Sequence, residues 1–295
     1  MSKKIIVNKF GGGILTRNLI PLMAEHLREQ IKDGYSPVVV ISALPGVTNE
    51  LLTIKDISFL RKFKEKNFQV MIDLGFNKEW QKKAKIELNK LFDNMKKDID
   101  SDKTIPSNED KIVAYGEKLS ATIFTFYLQM LGLPAKRFLA EEIPIITDDN
   151  FKNANIIYKI SQQNIQKNIQ EKINDLKIIP VIPGFTGKTT EDKITTLGRG
   201  GTDTTACFVG SAMRAKKVIL WKDVGGVFSA DPKIVPEAKY IPTISYQEAE
   251  KAGKIIHEKA IQYVKLFNTP LEITSLINPK LKTKVRKVVY NKFIK

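Results

Sequence analysis

The stretch TTLGRGGTDTTA, Thr195 to Ala206, sets one arginine and one aspartate among three glycines and five threonines. Glycine this dense is costly in chain entropy, so it is expected where a backbone must come close to something. Arg199 offers a planar, two-pronged donor suited to a carboxylate or a phosphate. Gly200 and Gly201 would let a ligand approach the main chain, with Thr202 beside them. Asp203 either caps the helix that follows or fixes a nearby cation such as Lys9. An arginine set among three glycines is more than a surface loop needs.

Four further stretches carry chemistry of the same kind. KFGGG, Lys9 to Gly13, follows an apolar run. Gly11 and Gly12 could present backbone N–H groups to a phosphate, with Lys9 neutralising charge, although a plain strand-to-helix turn reads the same way. SALPGVTNELL places Ser42 and Thr48 after a second apolar run, as ligand contacts or with Thr48 or Asn49 as helix caps. YGEKLSA puts Glu117 at the start of an apolar helix, where it suits the helix dipole or receives an ammonium. In WKDVGGVFSADPK, Asp223, Phe228 and Lys233 could hold a nucleotide, or could decorate a turn. H-E-x-x-H, C-x-x-C and G-x-S-x-G motifs are absent, and His26 and His257 stand far apart, so metal hydrolysis and serine-triad chemistry have little support.

These residues need elements to position them. KIIVNKF, SPVVVIS, KIIPVIP and KKVILW read as strands, and the near-continuous apolar character of SPVVVIS is that of a parallel strand covered on both faces. AKRFLAEEIPIIT also reads as strand-like. LIPLMAEHLREQIKDG, NKEWQKKAKIELNKLFDNMKKDI and GEKLSATIFTFYLQMLG carry apolar residues at helical spacing. The alternation predicts one layered α/β domain over 1–295, with lobes at about 1–180 and 181–295.

Composition narrows the function classes. The chain has 295 residues and a formal charge of +16, yet only seven of its 48 basic residues are arginine. Lysine scattered along the whole chain reads as a solvated surface rather than a nucleic-acid face, though a positive field can gather anions. No apolar run is long enough for a membrane span and no secretory signal is evident. With one cysteine, Cys207, the cytoplasm is the expected compartment.

In order, KFGG, SALPGVTNELL, GEKLSA, TTLGRGGTDTTA, KDVGGVFSADPKIVPEAKYIPTISYQEA and AGKIIH resemble the signatures of the amino acid kinase superfamily, and within it the aspartokinases. The resemblance implies a three-layer αβα sandwich around a mostly parallel sheet. It implies phosphorylation of the side-chain carboxylate of L-aspartate by ATP, with Mg2+ carried mainly on the nucleotide. Lys9 would bridge donor phosphate and acceptor carboxylate, and Asp203 would orient Lys9 or the substrate. Ser42, Thr48, Gly200, Gly201 and Thr202 would line the amino-acid pocket, with Glu117 on the ammonium and Arg199 on the α-carboxylate. Phe10, Gly11, Gly12, Lys222, Asp223, Phe228, Lys233 and Lys254 would lie around ATP. No nucleic acid, membrane or protein-held metal is expected, and a homodimer is left open.

The chain departs from the family at Gly13 and Ile14, where Thr-Ser is usual, and at Gly225, where an aspartate is usual. Too few residues follow His257 for the ACT domains that aspartokinases carry. The expectation is therefore a catalytic domain without ACT modules and without built-in feedback control. A kinase of the same fold for another small carboxylate or phosphate, or a non-catalytic binding protein, are the alternatives.

Overall fold

The computed structural model describes residues 4–54, 57–102, 104–230, 234–251 and 256–287, side chains excepted at 174–176. The strands are β1 (Lys4–Phe10), β2 (Tyr35–Ile41), β3 (Ala135–Arg137), β4 (Ile179–Pro183), β5 (Thr186–Lys188), β6 (Ile194–Thr196), β7 (Lys217–Lys222), β8 (Val227–Phe228), β9 (Tyr240–Ile241), β10 (Thr243–Ser245), β11 (Leu271–Ser275) and β12 (Lys282–Arg286). The helices are α1 (Ile20–Lys32), α2 (Val47–Leu52), α3 (Ser58–Asp73), α4 (Lys78–Ile99), α5 (Pro106–Val113), α6 (Tyr115–Met130), α7 (Tyr158–Ile165), α8 (Glu171–Leu176), α9 (Gly201–Ala212), α10 (Tyr246–Lys251) and α11 (Glu258–Leu266).

One eight-stranded sheet runs in the order β10-β12-β11-β7-β1-β2-β4-β3. From β3 through β11 every neighbouring pair is parallel, and β12 lies antiparallel to β11. Side chains alternate across this sheet with period two, and both faces are apolar. Ile6, Phe10, Val39, Ile41, Val181 and Trp221 face one core, with α1 and α4 through α6. Ile5, Val7, Val38, Val40, Val218 and Leu220 face the other, with α7, α9 and α11. The molecule is therefore a three-layer αβα sandwich.

The sequence expectations hold at most elements. Asn77 caps α4 by accepting from Trp80 N at 3.0 Å, and Pro21 stands in the first turn of α1, where its missing N–H costs nothing. The AKRFLAEEIPIIT run is strand only at Ala135–Arg137. Beyond it Leu139 N donates to Glu142 Oε2 and Ile143 N to Leu139 O, a turn that takes up the donors a strand would have used. Near the C-terminus, β11 and β12 form an antiparallel pair.

Two features of the sandwich place the site. The carboxyl ends of β1, β2, β4 and β7 fall along one edge of the sheet, the position where open α/β sheets bind ligands. Helix α9 is buried on all sides, with β1 and β7 beneath it and α11 across it. Its approach depends on Gly210, where a Cβ would sit 2.2 Å from Val218 Cγ2.

Candidate active site

Lys9 is the last residue of β1 on the α9 side of the sheet, following Ile5 and Val7 with period two. Position and periodicity thus drive an ammonium under the N-terminus of α9. Its Nζ lies 2.7 Å from Asp203 Oδ1 in an ion pair. Lys222, the last residue of β7, donates to Asp203 Oδ2 at 2.8 Å. Asp203 and Lys9 are buried, at 5% and 7% exposure. Burial favours the neutral acid at Asp203, but the Lys9 and Lys222 charges prevail and hold its carboxyl below the usual range. Burial, with the Lys222 charge, holds Lys9 below the ordinary lysine value against the pull of Asp203. Of the two roles open to Asp203, it takes that of fixing cations.

The opposite wall comes from the run after β2 and from α6. Gly46, in the left-handed region at φ 78°, starts α2 without a side-chain cap. Thr48 is thereby left to line the cleft, as does Ser42. Thr202 donates to Ser42 Oγ at 3.3 Å, joining the start of α9 to the end of β2. Glu117, in the first turn of α6, accepts from Ala43 N at 3.1 Å through Oε1. Its Oε2 is buried and has no partner among the described residues. Burial pushes the carboxyl up to about 8, and the Ala43 N–H opposes this only in part.

These groups share one cleft of about 600 Å³. Lys9, Ser42, Thr48, Glu117, Arg199, Gly200, Gly201, Thr202, Asp203 and Lys222 all line it. Arg199 is exposed and has no acidic partner among the described residues. The cleft therefore offers an orphan carboxylate oxygen, an uncommitted guanidinium, and two lysines sharing one aspartate. That set suits a small zwitterion beside a second anion. Gly11 leaves the backbone bare next to Lys9, where a Cβ would fall 2.7 Å from Lys9 Nζ; a Cβ on Gly12 would instead fall 2.9 Å from Ala43 O.

Some expectations need correction, and other expected residues lie apart from the cleft. The ring of Phe10 is fully buried, stacked on Trp221 and edge-on to Phe124, so its side chain supports the site from inside the core. The glycines around Arg199 make room chiefly for protein. A Cβ on Gly200 would lie 2.5 Å from His257 Cβ, on Gly201 2.6 Å from Phe185 Cδ2, and on Gly198 2.6 Å from Asn153 Oδ1. Gly198 and Gly200 also take left-handed φ of 74° and 71°. Their main chain lines the cleft, but packing and backbone conformation account for the missing side chains. Phe228 is half-buried against Tyr240, and Asp223 stands on the exposed turn after β7; neither is among the residues lining the cleft. Lys233 and Lys254 lie outside the described residues.

The cleft also contains residues that motif reading passed over. Glu109, Asp110, Lys152, Phe185 and Thr196 line it. Asp110 is buried, accepts from Lys152 N and Thr196 N at 2.9 and 2.8 Å, and receives the Thr196 hydroxyl at 2.9 Å. Its carboxyl is nonetheless raised by burial. A signal was present: Asp110 and Glu117 stand about two helical turns apart, which puts both on one face. Among the described residues no group of three or more His, Cys, Asp or Glu is placed to hold a metal, and no helix is long and apolar enough to cross a membrane.

The sequence pattern of the amino acid kinase family matches residues 4–275. An aspartokinase of Rickettsia felis is 30% identical over 281 residues, covering 93% of this chain and 59% of that protein. A chloroplastic aspartokinase 2 of Arabidopsis thaliana is 30% identical over 264 residues, 82% of this chain and 47% of that one. The chain thus spans about three fifths or less of these relatives. In structure it superposes on E. coli aspartokinase III, a complex with aspartate and ADP, with a TM-score of 0.85 at 24% identity over 97% of this chain and 65% of that one. It also resembles a UMP kinase from Ureaplasma parvum, with a TM-score of 0.57 at 16% identity over 97% of this chain and all of that one. At these identities the structural likeness concerns the fold.

The state of Glu117 can be measured without any ligand. Between its unfolded value near 4.5 and about 8, the folded protein keeps a proton that the unfolded chain has released. Stability contributed by this group therefore falls as pH rises through that window. Glu117→Gln carries no such dependence, so its stability relative to wild type, read from urea midpoints, should rise steadily from pH 5 to 8. A difference independent of pH would show Glu117 already ionised in the empty cleft.

Proposed function

This chain belongs to the amino acid kinase family, and we propose that it phosphorylates the side-chain carboxylate of L-aspartate with ATP as donor. One observation carries the reading: an unpartnered buried oxygen of Glu117 and the uncommitted Arg199 share a cleft with the ammonium of Lys9. The aspartokinase relatives at about 30% identity support it.

In this reading Glu117 accepts the α-ammonium and Arg199 grips the α-carboxylate with its planar fork. Ser42, Thr48 and Thr202, with the main chain of Gly200 and Gly201, line the pocket between them. The side-chain carboxylate then points toward Lys9. A carboxylate is ionised at pH 7 and needs no general base. The difficulty is that nucleophile and donor are both anionic. Lys9 offsets that repulsion, and Asp203 holds Lys9 at the end of β1, so catalysis is by positioning and fixed charge. Bare backbone at Gly11 and Gly12, together with Lys222, fits the donor phosphates. Asp223 and Phe228, with Lys233 and Lys254, would serve the rest of the nucleotide. Magnesium on the nucleotide would supply further positive charge at the β- and γ-phosphates. Residues about 1–180 would form the amino-acid lobe and about 181–295 the nucleotide lobe, with Arg199 to Thr202 reaching back to the amino acid and Gly11 and Gly12 reaching forward to the phosphates. Scattered lysine and the formal +16 charge favour capture of both anions. A single, buried cysteine supports a reducing compartment such as the cytoplasm.

Trapping acyl phosphate with hydroxylamine across a panel of amino acids tests the function. Aspartyl hydroxamate should form with ATP and magnesium; turnover of another acid with none of aspartate would reject aspartate as the substrate. Lys9→Ala should lower kcat by about 100-fold or more with little change in ATP affinity, as for loss of a charge acting in the transition state. Near-normal kcat in the folded variant would remove Lys9 from the mechanism. Arg199→Ala should weaken aspartate binding by about 2–5 kcal/mol, and Arg199→Lys should recover little of it. If aspartate KM held while ATP KM rose, Arg199 would belong to the nucleotide instead.

A further inference from the structure

We propose that Asp110 is a positioning residue that fixes where Arg199 stands relative to Glu117 and Lys9, and with it where the side-chain carboxylate of a bound amino acid falls. The inference rests on the reading of the cleft as an aspartate site.

Helices α5 and α6 are nearly one helix. The single residue between them, Ala114, keeps right-handed backbone angles, and helical hydrogen bonds cross the joint from Ala114 N to Asp110 O and from Lys118 N to Ala114 O. Asp110 and Glu117 therefore project from one stiff element, about two turns apart. Glu117 supplies the receptor for the ammonium. Asp110 instead reaches across to hold the segment that carries Arg199.

That hold has two arms. Asp110 takes the backbone N–H and the hydroxyl of Thr196, three residues before Arg199. It also takes the backbone N–H of Lys152, which sits in the left-handed region at φ 66°. The two arms are tied to each other: Ala154 N donates to Thr196 O at 2.9 Å, and Gly198 packs against Asn153. Arg199 itself is exposed and without an acidic partner among the described residues, so nothing else described fixes its charged end. Its reach into the cleft is set by where its backbone is pinned, and Asp110 is the pin on the Glu117 side. Every α-amino acid presents the same ammonium and carboxylate to Glu117 and Arg199, so this anchor fixes the ligand's backbone; the side chain of matching length then brings its carboxylate to Lys9, and one a methylene longer has that carboxylate displaced.

The test compares Asp110→Ala, Asp110→Asn and Thr196→Val with wild type, by equilibrium binding of aspartate and by kinetics with aspartate and glutamate. Asp110→Ala should raise aspartate KM and Kd by about 10-fold or more, since an ångström of misplacement can cost up to about 100-fold. ATP KM should change little, and the preference for aspartate over glutamate should narrow. Asp110→Asn should stay within about threefold of wild type, because its amide oxygen can accept both N–H groups while its NH2 donates to the Thr196 hydroxyl. Thr196→Val, which removes one hydrogen bond, should raise aspartate KM by about threefold and decides the matter if Asp110→Ala does not fold. Lower thermal stability of Asp110→Ala with aspartate KM and selectivity unchanged would overturn the proposal, as would an unchanged KM in Thr196→Val. Wild type that neither binds nor phosphorylates any amino acid would overturn the functional reading and this inference together; a wild type active on aspartate with wild-type-like variants overturns this inference alone.

Discussion

The triad of buried Lys9 and Asp203 with half-buried Lys222 is the constraint around which the molecule is arranged. It joins the ends of two neighbouring strands, β1 and β7, to the first turn of the helix lying over both. Charges this well buried are tolerated only in company, and removing one member of such a pair typically costs about 3–5 kcal/mol. The parallel register of β1 and β7 brings Lys9 and Lys222 to the same edge of the sheet. The close seat of α9, allowed by Gly210, brings Asp203 down to meet them. Fold and site are therefore one problem: a sheet in another register would leave a buried ammonium unpaired.

Much of this arrangement is legible in the chain because its functional residues come in short contiguous runs at the ends of elements. Lys9 and Ser42 stand at the ends of the parallel strands β1 and β2, Arg199 and Asp203 follow β6, and Glu117 opens α6; all five line one cleft. Phe10 is instructive in the other direction. Its neighbours in sequence are site residues, yet it shares the period-two face of Ile6, which points into the core. Alternation along β1 carries more information there than proximity to the glycines. Spacing from Glu117 can put Asp110 on the cleft face, but what Asp110 holds, and the places of Lys152 and Phe185, lay beyond sequence reading for a different reason. Their roles depend on contacts between distant elements, α5 with β6 and the loop at Lys152, that no local pattern encodes.

The glycines of the LGRGG run show how a correct expectation can rest on the wrong cause. Density of glycine does mark close approach, but the close neighbours are Asn153, Phe185 and His257. The loop is shaped from behind by protein so that its front can face the cleft. Left-handed angles at Gly198 and Gly200 turn the chain on either side of Arg199, which leaves that residue at a tip with its side chain uncommitted. Rigid backbone and a free charged end are thus produced by the same packing.

The unpartnered oxygen of Glu117 has one more consequence. At neutral pH an acid raised to about 8 is mostly neutral, so the empty cleft stores a proton there. A ligand cation seated against Oε2 would stabilise the carboxylate and release that proton to the solvent. The pocket would then work as a one-site cation exchanger, giving up one positive charge as it takes in another. The interior of the sandwich would then not carry the cost of a bare anion when no cation faces Glu117, and buffer acidity would join ligand concentration as a determinant of occupancy.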